Sequence, residues 1–324
     1  MLSFEEILRT IEESIRQLRF DFKPEGLFEP IEYTLSLGGK RIRPAFMLMA
    51  CNLYSEKVDA ALKPALGIEV FHNFTLLHDD LMDEADKRRN QATVHKKWGR
   101  NVAILSGDAM LIAAYQLVGE TKEPYLKKIL DLFSQTALDI CRGQQYDMEF
   151  ESRSDVTEED YLEMIRLKTA VLLACSLKCG AIIGNASEED ADTLYRFGLH
   201  IGLAFQLQDD MLDVYGDSQT FGKNIGGDIV CDKKTFLLIQ ALKQASDQQK
   251  AVIRRYQQAE GFGPEEKISA ITSVYNELNV KETVQDRIRY YAGQAMHELS
   301  LLQVPSERTV VLRDVSLRLM ERES

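Results

Sequence analysis

Residues 71–90 read FHNFTLLHDDLMDEADKRRN. The stretch opens apolar and then packs five carboxylates, Asp79, Asp80, Asp83, Glu84 and Asp86, into eight residues. Lys87, Arg88 and Arg89 follow at once, so the sign of the charge reverses. On a helix, residues four apart lie on one face. Asp79 and Asp83 therefore project together, and His72, seven before Asp79, shares their face. The pattern recurs once, as HDDLMD at 78–83 and QDDMLD at 208–213. There Asp209 and Asp213 share a face, with Gln206 three before Asp209. Each helix carries a line of polar groups along an otherwise apolar cylinder. Carboxylates this close repel one another unless a cation lies between them. Oxygen ligands with room for water and phosphate suit Mg²⁺. Two such helices facing each other can hold several ions, and the ions a diphosphate. A single pattern of this kind in an acidic chain reads most simply as a solvated helix end; two, both running out of apolar helix, do not.

The surrounding chain sets limits. Its 324 residues can bury a large core as one big domain or two ordinary ones. The composition, 45% hydrophobic and 28% charged, is that of an ordinary globular protein. A net charge of −12 argues against a nucleic-acid binder or a general binder of anionic membranes. Any anionic ligand must be held by a local basic cluster against that field. The start, MLSFEEILRT, lacks the basic and apolar regions of a signal peptide. The most apolar window, VLLACSLKCGAIIG at 171–184, is too short to span a bilayer and Lys178 interrupts it, so no stable membrane insertion is expected. Five cysteines, an odd number in a long chain, do not make a disulfide framework, and the expected location is a reducing cytoplasm. Cys175 and Cys179 read as buried structural thiols, since no second Cys/His pair completes a metal site.

Proline is absent between Pro124 and Pro264, which suits long helices. SFEE at 3–6, TEED at 157–160 and SEED at 187–190 read as capping boxes, and Pro264 as a first helical turn. No Asn-Gly or Asp-Gly hairpin signal occurs, nor a long alternating β-branched run. The segments 65–78, 101–118, 165–183 and 194–207 are apolar on most sides and belong in the interior of a large bundle. The expectation is one all-α domain over residues 1–324, a bundle of roughly ten or more helices with little or no sheet.

Basic residues lie beside the acidic ones. GGKRIRP at 38–44 sets Lys40, Arg41 and Arg43 after two glycines. Glycines permit close backbone approach, and an arginine fork suits phosphate oxygens. The run at 87–89 adjoins any metal-bound phosphate. Lys168 and Thr169 fall in an apolar segment, where a lysine needs an anionic partner. FGKNIGGDIVCDKK, at 221–234, supplies Lys223, Lys233 and Lys234 on a glycine-rich flap or surface turn.

In that order, GGKRIRP, HDDLMDEADKRR, GQQYDM (143–148), KT (168–169), FQLQDDMLD (205–213) and the flap, the chain resembles the trans-isoprenyl diphosphate synthases, or polyprenyl synthetases, over about residues 30–240. The resemblance implies an all-α bundle around a deep central cavity, a homodimer, and head-to-tail joining of isopentenyl diphosphate to an allylic diphosphate. Asp79 and Asp83 would bind two Mg²⁺ and Asp209 a third, with Asp80 and Asp213 in support. Lys40, Arg43, His72 and Arg89 would hold isopentenyl diphosphate. Arg88, Lys168 and Lys233 would grip the allylic diphosphate, helped by Lys223, and Thr169 and Gln206 would line a cation pocket. Asp79, Asp83, Lys168 and Asp209 are the expected catalytic residues. Asn90 stands where the family commonly has Gly, at a turn. The first motif has two residues before its last aspartate, where many bacterial farnesyl diphosphate synthases have four.

In this family, bulky residues just before the first motif stop elongation. Phe74, five before Asp79, implies a C20 or C15 product, with C20 ahead. A helical wheel puts Thr75 within about 40° of the Asp79 face, Phe71 about 80° away and Phe74 about 140° away, which leaves Phe71 as the other candidate floor. A class I terpene synthase shares the metal chemistry but needs no second diphosphate site, which Lys40, Arg43 and Arg89 supply. A non-catalytic subunit of a heteromeric synthase usually lacks one aspartate motif, and both are intact here.

Overall fold

The computed structural model describes residues 1–216, 225–258 and 261–320. In chain order the helices are α1 (Phe4–Gln17), α2 (Glu25–Ser36), α3 (Ile42–Tyr54), α4 (Asp59–Met82), α5 (Val94–Trp98), α6 (Arg100–Gly119), α7 (Leu126–Ser152), α8 (Glu158–Ile165), α9 (Val171–Ile183) and α10 (Glu188–Tyr215). They continue as α11 (Gly227–Val230), α12 (Phe236–Gln244), α13 (Asp247–Gln258), α14 (Pro264–Glu277), α15 (Val280–Ser300) and α16 (Ser306–Met320). The fold is all-α. Among the described residues the sheet is one two-residue hairpin, β1 (Lys87–Arg88) and β2 (Gln91–Ala92), antiparallel with Lys87 opposite Ala92. No hairpin was expected from the sequence. Arg89 and Asn90 turn it with φ of 51° and 62°, a pair that suits a type I′ turn. Asparagine tolerates that region nearly as well as the family's usual glycine.

Two of the three capping boxes form in full. Ser3 Oγ accepts from the Glu6 N–H at 3.2 Å while the Ser3 N–H donates to Glu6 at 2.8 Å. Thr157 and Asp160 make the same exchange at 3.1 Å in each direction. At the third, the Asp190 N–H reaches Ser187 Oγ at 3.1 Å, but the Asp190 carboxylate accepts from the Gln303 N–H at 3.0 Å instead. Pro264 sits in the first turn of α14, as its sequence context indicates.

The described residues form two compact units. The first comprises Met1–Gln135, Cys175–Tyr195 and Leu301–Arg313, and the second Thr136–Ala174, Arg196–Ser300 and Asp314–Ser324. Helices α7, α9, α10 and α16 each contribute residues to both.

In the first unit α4 packs most extensively on α6, and next on α3. Every residue of α3 from Pro44 to Leu53 is buried. Phe71 of α4 meets Phe133 edge-on at 5.1 Å, and Phe133 meets Tyr115 at 4.8 Å. One charge is sealed into this core. Arg41, ahead of α3, donates to Glu69 at 2.7 Å, to Glu12 at 2.9 Å and to the Leu35 carbonyl at 3.0 Å. Breaking such a buried pair costs about 3–5 kcal/mol, because the surviving charge has no partner. Arg41 is thus structural, whereas its neighbours in GGKRIRP make no such core pairing: Lys40 is exposed and Arg43 rests on His72. Cys51, Cys175 and Cys179 are buried free thiols.

One expectation fails here. Segment 101–118 was expected in the interior, but α6 buries only one side. Ile104, Leu105 and Ile112 are 47%, 58% and 62% exposed, and they fall within about 100° of one another around the helix. By length and composition this helix is also apolar enough to cross a membrane. Its apolar content serves two faces, only one of which meets this chain.

In the second unit Glu158, in the first turn of α8, accepts from Gln240 of α12 at 2.7 Å and pairs with Arg287 of α15. One carboxylate thereby ties three helices together. Both partners, Gln240 and Arg287, come from the segment 240–324, which carries no readable motif.

Candidate active site

In the first unit, α4 delivers the acidic motif at its C-terminal end. Asp83 caps the helix, its N–H on the Asp79 carbonyl at 2.9 Å. The hairpin then folds Arg88 back so that its guanidinium forks onto Asp80, Nε and Nη2 each at 2.7 Å, with Nη2 3.9 Å from Asp79. Burial raises the Asp80 pKa, against the pull of Arg88. Glu84 pairs with Arg100 at 2.9 Å and Asp86 with Lys96 at 2.8 Å. Asp80, Glu84 and Asp86 are thus each held at close range by a base, and Asp79 lies at the edge of the Arg88 fork. Asp79 and Asp83 are the pair that their spacing puts on one face.

The same unit gathers the expected isopentenyl diphosphate group. Arg43 Nη1 donates to His72 Nε2 at 3.1 Å. That contact fixes His72 as a neutral acceptor, consistent with a pKa pushed well below the usual value by burial and then by Arg43 and Arg89. Burial also draws the Arg43 pKa down to about 10, and its buried Nε has no hydrogen-bond partner among the described residues. Arg89 donates to the Gly38 carbonyl. A side chain at Gly39 would strike its guanidinium, with a Cβ 2.8 Å from Nη2. The glycine pair therefore lets Arg89 dock beside Lys40, which is exposed.

Phe74 lies where the helical wheel puts it, off the Asp79 face. Its ring is 4.8 Å from that of His78, whose Nε2 is 3.2 Å from the Ile104 carbonyl of α6. It also lies 5.5 Å from Phe71, which is 1% exposed. Thr75 Oγ1 donates to the His72 carbonyl at 2.8 Å.

In the second unit the KT pair sits on a π-turn, Arg166–Ala170, between α8 and α9. Such wide turns recur at functional sites. Two glycines clamp it. A Cβ at Gly143 of α7 would fall 2.8 Å from the Leu167 carbonyl carbon, and one at Gly202 of α10 would fall 2.5 Å from Ala170 Cβ. Neither position admits a side chain without moving the turn. Lys168 finds the anionic partner its setting requires in Asp147, at 2.6 Å. Thr169 Oγ1 donates to Gln206 Oε1 at 3.0 Å. Asp213 accepts from the Asp228 N–H at 3.0 Å and so fastens α10 to α11. Lys233 follows, its N–H on the Asp228 carbonyl at 3.0 Å. Lys223 lies outside the described residues.

Three residues of this unit had no assigned role from the sequence: Asp147, Asp210 and Tyr161. Asp147 stands in GQQYDM, so its position in a motif was visible. Asp210, the middle aspartate of the second motif, lies about 100° round the helix from Asp209 and about 60° from Asp213. It accepts from Gln206 Nε2 at 3.1 Å and from the buried Tyr161 hydroxyl. Burial, and then the Asp228 charge, hold its carboxyl well above the usual range. No spacing connects Tyr161 to it, because the contact spans 49 residues.

This fold and these motifs are those of a known class. The chain belongs to the polyprenyl synthetase family, whose pattern matches residues 24–277. It is 34% identical to a geranylgeranyl diphosphate synthase of Methanosarcina mazei, over 90% of this chain and 88% of that one. It is 36% identical to a short chain isoprenyl diphosphate synthase of Methanothermobacter thermautotrophicus, over 95% and 91%. A solved geranylgeranyl pyrophosphate synthase superposes with a TM-score of 0.94 at 40% identity, over 100% of both chains. One from Pyrococcus horikoshii gives 0.91 at 31% identity, over 98% and 97%. The chain is a prenyltransferase of the short-chain prenyl diphosphate synthase type.

Proposed function

We propose that the chain condenses isopentenyl diphosphate head to tail with an allylic diphosphate, using Mg²⁺, to give an all-trans prenyl diphosphate of C20 or C15. The observation that carries this reading is Arg43. It is desolvated, has no carboxylate within hydrogen-bonding range among the described residues, and rests on a neutral histidine. A cation so placed needs an anionic partner. With Arg89 and Lys40 nearby it makes a diphosphate site separate from the aspartates, which a terpene synthase does not need.

The donors fit Mg²⁺. Asp79, Asp83 and Asp209 offer only oxygens, and among the described residues no three His, Cys, Asp or Glu form a cage. Magnesium is characteristically held by one or two carboxylates with waters and substrate phosphates. Asp79 and Asp83 would hold two ions and Asp209 a third. Asp80 supports them through Arg88, and Asp213 through its hold on α11. Bound Mg²⁺ draws charge from the leaving diphosphate. Arg88, Lys168 and Lys233, with Lys223, take up the remaining charge of the allylic diphosphate. Its C–O bond ionises, the double bond of isopentenyl diphosphate attacks the allylic cation, and a proton leaves to the departing diphosphate. The Thr169 hydroxyl and the Gln206 carbonyl turn their negative ends to that cation.

The test is incorporation of labelled isopentenyl diphosphate into acid-labile product. Incorporation that needs both an allylic primer and Mg²⁺, and stops with EDTA, supports the reading. Ionisation of the primer without uptake of isopentenyl diphosphate would replace it with a terpene synthase.

The relatives named geranylgeranyl diphosphate synthase favour C20. Phe74→Ala is expected to shift the product at least one C5 unit longer, read by chromatography of the dephosphorylated prenols. An unchanged distribution would move the floor to the Phe71, Phe133 and Tyr115 cluster.

The sharing of four helices between the two units supports a single domain over residues 1–324. The exposed stripe Ile104, Leu105 and Ile112 supports a homodimer, in which a second copy covers α6, and the free thiols suit a reducing cytoplasm. Ile112→Lys should lower the mass in light scattering from dimer to monomer. A wild type that is itself monomeric would refute the dimer.

A further inference from the structure

Asp210 is the one motif aspartate for which metal binding and capping give no role. It is 5% exposed, and both its oxygens are taken, Oδ1 by Gln206 Nε2 at 3.1 Å and Oδ2 by the Tyr161 hydroxyl. A side-chain amide can point either way round at little intrinsic cost, so something must choose. Here the choice is made by Asp210. With the phenol donating to Oδ2, Oδ1 is the oxygen that accepts from the amide, and the NH₂ end of Gln206 faces it. The other end of the amide, Oε1, is thereby turned to Thr169, whose hydroxyl donates to it at 3.0 Å. The flipped amide would set oxygen against oxygen at Asp210 and turn two N–H groups toward Thr169. Those N–H groups are positive and would repel a developing carbocation.

We propose that Asp210 and Tyr161 are positioning residues that lock the Gln206 amide with its carbonyl oxygen toward Thr169. The second aspartate motif then does two jobs. Asp209 serves the leaving diphosphate, while its neighbour, about 100° round the helix, sets the dipole that stabilises the cation. This rests on the condensation proposed above, and it assigns to Asp210 and Tyr161 a task distinct from metal binding.

The test is a double-mutant cycle between Tyr161 and Gln206 in the purified full-length enzyme. Tyr161→Phe removes one oxygen and leaves the packing of the ring. It should lower kcat about tenfold with both KM values and the melting temperature nearly unchanged, the pattern of a group acting on the transition state. In a Gln206→Leu background the same change should cost nothing further, since there is no amide left to orient. Asp210→Asn, which keeps an oxygen available to Gln206, should stay within about threefold of wild type, and Asp210→Leu should fall to the level of Gln206→Leu. An equal loss from Tyr161→Phe with and without the Gln206 amide would overturn the proposal, as would no loss in either. A wild type that condenses nothing would overturn the function itself, and with it this inference.

Discussion

Asp79→Ala and Asp209→Ala should each lower kcat by about a thousandfold, the loss expected when several kcal/mol of metal-borne charge stabilisation is removed. Neither change should unfold the protein. Both side chains keep solvent exposure, and the network that organises the first motif runs through Asp80 and Arg88 instead. Circular dichroism and thermal melting should therefore match the wild type. Excess Mg²⁺ should recover part of the activity, because a weakened site fills at higher ion concentration. Asp80→Ala is predicted to behave differently. It strips Arg88 of its fork and should lower stability as well as rate. Wild-type turnover in either the Asp79 or the Asp209 variant would contradict the roles given to them.

Arg43→Gln should raise the KM for isopentenyl diphosphate about a hundredfold and leave that for the allylic diphosphate nearly unchanged. The magnitude follows from losing a charge-assisted hydrogen bond worth about 1.5–3 kcal/mol, at about 1.4 kcal/mol per decade. The selectivity follows from location, since Arg43 contacts His72 and neither acidic motif. Equal loss for both substrates would mean that Arg43 serves the fold. His72 gives a related result through pH. Its folded pKa is depressed, so below about pH 6.5 the unfolded chain takes up a proton that the native state refuses. Stability should fall as the pH drops through this range, down to the depressed folded value, and His72→Gln should flatten that part of the curve. Denaturant midpoints from pH 7.5 to 5.0 would register the difference.

What was legible in the sequence was what repeats or has a fixed spacing. The i, i+4 aspartates fixed which carboxylates share a face, and all three capping sequences placed helix starts to the residue, although only two close as full boxes. Lys168 announced an anionic partner by standing in an apolar run, and Asp147 is that partner. What escaped depends on contacts between distant residues. Arg41 and Arg43 are two apart and look alike in GGKRIRP; only Glu12 and Glu69, 29 and 28 residues away, make the first structural. The hairpin at 87–92 lacked the Asn-Gly signal because Arg89 occupies a positive-φ position that such turns usually give to Asn or Gly. The π-turn was hidden for a related reason. Its signature is not in RLKTA but in the missing side chains of Gly143 and Gly202. The exposed face of α6 misled because apolarity on all sides signals burial without saying by what.

Mass spectrometry of the product decides most directly between these readings. The purified chain would be incubated with dimethylallyl diphosphate, excess isopentenyl diphosphate and Mg²⁺, beside an EDTA control. The predicted result is a C20 or C15 prenyl diphosphate that is absent with EDTA. A cyclic or linear hydrocarbon made from the allylic substrate alone, or no condensation by a well-folded sample, would contradict it.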